Sequence, residues 1–315
     1  MRRRKRLLFN VADIGFCLTW EYPPLLGADH PYYQGFLFKR GIEQLRKDLR
    51  KFVEIDLYWA KGENKRPALK GAQKILSLPK FWNLYKNNTC YIMEMFHPLK
   101  ERLLSFAEID FDFKDVEYYL LRSEDGIQRV NGRVFREYWL LSQPIDPLIK
   151  SLLINILARE GGFLLHSAGV IINNCGLVFS GESGSGKSTL AQFFRLDKET
   201  IVLTDENLVI TKKEGKFYIN ATPWPGGARI SYASSAPLKN VFFIRHAKKN
   251  LLLPLKPDEA FKKILSQTAL SVWERALLDS LMGFIRELSE KIKFFDLEFV
   301  NERSVVDFLK KKISS

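Results

Sequence analysis

Cysteine and histidine are scarce in this chain, three of the first and four of the second in 315 residues. Cys17, Cys90 and Cys175 stand far apart, without the close pairing of a zinc site or a thiol redox motif. They read as buried or incidental thiols, and an odd count with no secretion signal fits a cytoplasmic, reducing location. His30 and His97 are isolated and read as structural or surface residues, and His246, beside Lys248-Lys249, reads as a solvated strand end. Long apolar runs are lacking too. None approaches the roughly 18 residues of a membrane helix. Met1-Arg2-Arg3-Arg4-Lys5-Arg6 resembles the start of a signal peptide, but Asn10 and Asp13 interrupt the apolar run after it, so it reads as the basic opening of a strand.

Balance of charge is also missing, for the formal net charge is +13. Such an excess draws polyanions when it is clustered. Here the clusters sit at the ends, Arg2 to Arg6 and Lys310-Lys311-Lys312, and otherwise scatter over helices. They lack the aromatic interleaving of a single-strand platform and any nucleic-acid reading motif. A solvated basic surface is the better account, and nucleic acid is not the expected partner.

What the chain does have is 46% hydrophobic residues, enough for a sizeable core and for one large or two medium domains. Residues 1–143 alternate short β-type runs with turns: Tyr33 to Phe38, Phe52 to Tyr58, Cys90 to Phe96 and Ile109 to Phe113. Lys86 to Thr89 and Glu124-Asp125-Gly126 supply turns, and a helix is expected over about Gly41 to Lys51. This reads as a β-rich α+β domain with an antiparallel sheet. Its Trp20, Trp59, Trp82 and Tyr85 read as packing residues.

Residues 144–315 form the second expected domain. Pro144-Ile145-Asp146-Pro147 opens a helix to about Glu160, with Ile145, Leu148, Ile149, Leu152, Leu153, Ile156 and Leu157 on one face. Gly161-Gly162 closes it. A strand from Phe163 to Ile172 then turns at Asn173 to Gly176 and returns as Gly176 to Ser180. Next comes Gly181-Glu182-Ser183-Gly184-Ser185-Gly186-Lys187-Ser188-Thr189, which fills the pattern G-x-x-x-x-G-K-[ST], and a helix begins from Leu190.

Strand, glycine loop and helix are the order that phosphate binding needs. Glycines let the backbone turn its N–H groups inward, and the helix start adds partial positive charge. Lys187 is then expected on the β- and γ-phosphates of ATP and Ser188 on Mg²⁺. Beyond it, Asp205-Glu206 follows the apolar strand Ile201 to Leu203, where a carboxylate can face the γ-phosphate and hold the metal. Arg229 is placed either to steady transferring charge or to lie on the surface, and Trp224 either to line a pocket or to pack.

Three stretches resemble the catalytic domain of HPr kinase/phosphorylase: Leu164 to Val170, Gly176 to Thr189 and Leu203 to Ile210. The chain looks closer still to the HPr-kinase-related, serine-kinase-like proteins of bacteria found near peptide-modification or exopolysaccharide genes. Ala221 to Gly226 and the late Phe294 to Leu297 strand with the final helix fit that group. The resemblance, over roughly residues 140–315, implies a phosphoenolpyruvate-carboxykinase-like P-loop domain, α/β with a mixed sheet. It also implies Asp205 on the metal and Glu206 as the base, although the family kinase usually has aspartate at that second place. His166 is similar to the family's histidine ahead of the loop, and either meets the γ-phosphate or ties down the strand. The glycine- and arginine-bearing segment that the kinase uses to dock HPr is not found, since Ala221 to Arg229 occupies its place. HPr is therefore not the expected substrate.

The sequence thus leads to an ATP- and Mg²⁺-dependent kinase acting on a hydroxyl of a serine-type small molecule, protein or peptide, with oligomer formation left open. The alternative is a nucleotide-binding accessory or switch protein. A carboxykinase would need further substrate-binding Arg and Lys that the sequence does not place.

Overall fold

The computed structural model describes residues 5–20, 33–38, 42–60, 68–96, 102–121, 127–130, 133–136 and 138–314. His30, His97 and the Glu124-Asp125-Gly126 turn lie outside them, as does the side chain of Trp59. The chain divides into two compact units, Met1–Leu153 and Ile154–Ser315.

The first unit holds an eight-stranded sheet in the order β1-β2-β3-β8-β7-β6-β5-β4. Its strands are β1 (Lys5–Val11), β2 (Ile14–Trp20), β3 (Lys51–Ala60), β4 (Gln73–Leu78), β5 (Trp82–Lys86), β6 (Cys90–Phe96), β7 (Leu103–Asp110) and β8 (Asp115–Leu121). A short pair, β9 (Ile127–Val130) and β10 (Arg133–Arg136), stands apart from it. The expected antiparallel sheet is corrected to a mixed one, because β3 runs parallel to both β2 and β8. Between β2 and β3 the chain makes a crossover that includes helix α1 (Ile42–Asp48), as a parallel pair requires.

Two of the expected strands change. Tyr33 to Phe38 is a single 3₁₀ turn, Gln34–Phe36, followed by one isolated bridge of Leu37 to Phe9, and its Tyr33 and Phe36 are buried. Tyr33 meets the Phe9 ring edge-on at 5.1 Å and donates its hydroxyl to Asp146 at 2.5 Å. The run from Ile109 to Phe113 breaks at Asp110, whose carboxylate accepts the backbone N–H groups of Asp112, Lys114 and Asp115. A side chain that satisfies three donors makes a turn there more stable than continued strand.

Helix α2 (Tyr138–Glu160) starts earlier than Pro144, and all seven apolar residues expected on its face are buried. It ends at Gly161, where φ is +81°.

The second unit contains another eight-stranded mixed sheet. Its strands are β11 (Gly162–Ile172), β12 (Cys175–Ser180), β13 (Thr200–Thr204), β14 (Asn207–Lys213), β15 (Lys216–Asn220), β16 (Ser235–His246), β17 (Leu251–Pro254) and β18 (Lys293–Phe299). The helices are α3 (Lys187–Arg195), α4 (Pro257–Gln267), α5 (Arg275–Lys291) and α6 (Ser304–Ser314). Asn173 and Asn174, at φ +49° and +58°, form the two-residue turn between β11 and β12, a conformation asparagine tolerates. Strand β16 runs parallel to β12 on one side and to β18 on the other. The core beneath joins Phe179, Leu190, Phe194, Phe242, Leu297, Phe299 and Leu309.

Helix α5 begins at Arg275 and buries Leu277, Leu281 and Phe284, while Ala276 is exposed. Just before it Val272 is exposed and Trp273 buried. Among the described residues no helix is long and apolar enough to cross a membrane.

Candidate functional site

Strand register assembles the site. β13 and β14 both pair antiparallel with β11, and the register that sets His166 opposite Asn207 also sets Gly169 opposite Thr204, beyond which a bulge at Gly169–Val170 shifts the pairing. The acidic pair Asp205-Glu206 is therefore a two-residue break in a single line of chain, opposite Ser167-Ala168. Ser167 donates its N–H to the Glu206 carbonyl at 2.9 Å across that break. On the other edge of β11, β12 pairs Ser180 with Ser167, and the Ser180 hydroxyl donates to the His166 carbonyl at 3.0 Å. Three neighbouring lines of chain thus carry the start of the glycine loop, His166 and Glu206 side by side.

The loop itself needs glycine at two points. Gly184 at φ +81° and Gly186 at φ +98° lie in the left-handed region. A side chain at Gly186 would also come within 2.8 Å of both His246 and Phe299. Helix α3 starts directly after, with Leu190, Ala191 and Phe194 turned into the core. Its first N–H groups have no partner within the helix, a general property of helix starts, so the loop end is a set of donors suited to an anion.

Lys187 is buried, and its ammonium donates to the loop carbonyls of Gly181 at 2.7 Å and Glu182 at 2.9 Å. Burial holds its pKa below the ordinary lysine range, and the nearby Glu206 carboxylate opposes that shift. His166 is lowered as well, first by burial and then by the Lys187 charge, while Glu206 pulls the other way by charge and through a backbone hydrogen bond. Lys187, His166 and Glu206 are therefore within one another's fields. The Ser185 hydroxyl, buried in the loop, has no hydrogen-bond partner. Such an orphan suits a loop whose polar groups are completed by an anion.

Asp205 is placed differently from its neighbour. It is 1% exposed, and its two oxygens accept the N–H groups of Gly226 (2.9 Å), Ala228 (2.7 Å) and Ile230 (3.3 Å). The residues from Thr222 to Tyr232 are laced to the same line of chain by further bonds, Thr222 to the Asn207 carbonyl at 2.7 Å and Tyr232 to the Leu203 carbonyl at 2.8 Å. A side chain at Gly226 would collide with Glu206 Oε2, so the loop lies directly against the second carboxylate. Arg229 sits on this loop, exposed and at φ +54°. Trp224 is 5% exposed and packs within it.

Ser188 and Thr189 are half-buried at the start of α3, while Glu182, Ser183 and Gly184 stand exposed at the loop tip. No group of three or more His, Cys, Asp or Glu side chains able to hold a metal occurs among the described residues. The donor set fits Mg²⁺ only as an ion that arrives on phosphates, where water and phosphate oxygens provide most ligands.

His246 stands exposed at the end of β16, as the sequence implied, and its place against the glycine loop is what the sequence did not show. It lies beside Gly186 with its ring 4.9 Å from that of Phe299. The available signal was its position at the carboxyl end of the apolar run Val241 to Arg245, since parallel strand ends converge on one edge. Together with Gly181 to Ser185, Phe243 to Arg245 and three residues of α4 it lines a cleft of about 520 Å³.

A mixed α/β unit with a glycine loop at the end of a strand is the class these observations define. A family model described as "ScmC: SynChlorMet cassette protein ScmC" matches residues 147–292, under half of the chain. No curated protein matches. Among solved structures, the Hpr(Ser) kinase/phosphatase from Coxiella burnetii is similar at 11% identity and a TM-score of 0.29, over 48% of this chain and 99% of that one. So distant a likeness leaves the chemistry to the residues themselves.

Proposed function

We propose that the second unit is a phosphoenolpyruvate-carboxykinase-like P-loop domain, and that the protein is an ATP- and Mg²⁺-dependent kinase acting on a hydroxyl. The observation that carries this reading is the register that sets the glycine loop, His166 and Glu206 on adjacent lines of one sheet. The loop amides of Gly181 to Thr189 and the Lys187 ammonium bind the phosphate oxygens. The hydroxyl oxygen of the acceptor bonds to the γ-phosphorus as the bond to the bridging oxygen breaks, and that electron pair leaves with the nucleoside diphosphate.

Glu206 takes the acceptor's proton. Asp205, occupied by three backbone N–H groups, positions the loop that carries Arg229. Arg229 then steadies charge on the transferring group, and His166, neutral at pH 7, orients Glu206 through its backbone. Ser188 and Asp205 are the residues that would hold Mg²⁺ together with the phosphates, and the ion would supply charge neutralisation there.

The test is transfer of label from γ-labelled ATP to small molecules or proteins of a cell extract, with Lys187→Ala alongside. Label in an acceptor, lost in the variant, is the expected result. ATP bound without any transfer supports a second reading, a nucleotide-dependent accessory protein, which the full engagement of Asp205 and the word "cassette" in the family description favour.

A further inference from the structure

We infer that the cleft beside the glycine loop is the pocket for the base of the bound nucleoside triphosphate, an uncharged planar heterocycle read by Gln267 and stacked on His246. This deepens the phosphoryl-transfer reading and rests on it for the placement of the phosphates. The cleft, about 520 Å³, falls within the roughly 300–1,000 Å³ usual for small-ligand sites. One wall is the loop backbone from Gly181 to Ser185, so a ligand whose phosphates lie on the loop has the cleft within its reach. Lys187, His166 and Glu206 do not line it, which leaves the reacting end of the ligand outside.

Charge decides what the cleft accepts. Its two cations are already spent on β18, Arg245 paired with Glu298 and Lys263 with Asp296. Glu182 adds a carboxylate on the loop side. A second phosphate or a carboxylate would find no surplus positive charge there. What remains is the Gln267 amide, the Ser266 hydroxyl, the aromatic face of His246 and the buried Phe243. Gln267 Nε2 lies 3.3 Å from Ser266 Oγ, which in turn donates to the Lys263 carbonyl at 2.8 Å, so the amide is oriented from behind. An amide offers a donor and an acceptor in one plane, the pairing that a heterocyclic base edge presents. The His246 ring, exposed and backed by Phe299, is a stacking surface of the kind that bases use.

The experiment is calorimetric titration of the full chain, in Mg²⁺ buffer, with ATP and with inorganic tripolyphosphate, which carries the phosphates and no base. The wild-type chain should bind ATP at least about ten-fold more tightly than tripolyphosphate. Gln267→Ala and His246→Ala should each bring ATP down about five- to ten-fold toward the tripolyphosphate value and leave tripolyphosphate unchanged, which also shows that the variants are folded. Equal affinity for the two ligands, or variants that bind ATP as the wild type does, would overturn the base pocket while keeping the phosphate loop. Binding of neither ligand would overturn the phosphate loop and the base pocket together.

Discussion

Each of the two eight-stranded sheets buries a carboxylate, and the two are satisfied in opposite ways. In the amino-terminal unit Glu94, 8% exposed, is met from the next strand, where its register partner Asn83 donates at 3.2 Å. Burial, and after it the charge of Glu94, push the Tyr85 phenol up to about 12, so that neighbour stays neutral over the physiological range. In the carboxy-terminal unit Asp205 is met by backbone 21 to 25 residues further on. Beside it Lys187 is buried on the carbonyls of its own loop, with Glu206 near but claimed by neither. A carboxylate answered within its own hairpin serves the sheet. One that fixes a distant loop over a second acid and a lysine organises a site.

Removing Lys187 should separate the two units most sharply. Lys187→Ala is expected to lower label transfer about 10³-fold, as loss of a preorganised charge at a transferring phosphate does, with little effect on the melting of the amino-terminal sheet. Label transfer and far-UV melting measured on the same sample check both halves. Transfer at the wild-type rate would remove the distinction.

The next largest effect concerns the anchor. Asp205→Asn puts an amide donor among three backbone donors, and about 2–3 kcal/mol of stability should be lost with the charge-assisted bonds. Hydrogen exchange should accelerate at Gly226, Ala228 and Ile230 before it does elsewhere. Unchanged protection at those amides would mean that the loop holds without the carboxylate.

His166 gives a pH signature. Its folded pKa lies below the ordinary 6.5, so between the two values the unfolded chain binds more protons. The stabilisation it contributes is complete above pH 6.5 and is lost as pH falls through the folded value. Transfer should stay level above that pH and decline only in more acid buffer, and His166→Gln should flatten the acid limb. A decline that begins above pH 7 and survives in the variant would assign it to another group.

The smallest effect is expected in the amino-terminal unit. Glu94→Gln keeps an acceptor for Asn83 and should cost about 1 kcal/mol in a denaturant midpoint while leaving transfer untouched. A change in transfer would give that sheet a part in the chemistry.

Much of the site was legible in the sequence where neighbours along the chain make it. The glycine loop, the strand before it and the helix after it come from a pattern only nine residues long, and the apolar face of α2 from helical spacing. The acidic pair was legible as chemistry but not as geometry. It follows the end of β13 as expected, but nothing in the sequence told that β14 would resume on β11 in the register held at Thr204. The engagement of Asp205 was hidden because its partners are backbone groups of a loop more than twenty residues away, which no side-chain pattern encodes. The closeness of His246 to the glycine loop was hidden by parallel pairing, since β12 and β16 meet only through a long crossover. Strand β17 was missed for another reason, as Leu251 to Pro254 sits among lysines and a proline and gains its strand form from pairing with β18.

The most direct test of the central claim compares Glu206→Gln with the wild-type chain in single-turnover transfer from γ-labelled ATP, with ATP affinity measured in parallel. Transfer reduced about 10²- to 10⁴-fold at nearly unchanged affinity is the predicted result, the mark of a lost general base. Transfer that persists undiminished in the variant would contradict the account.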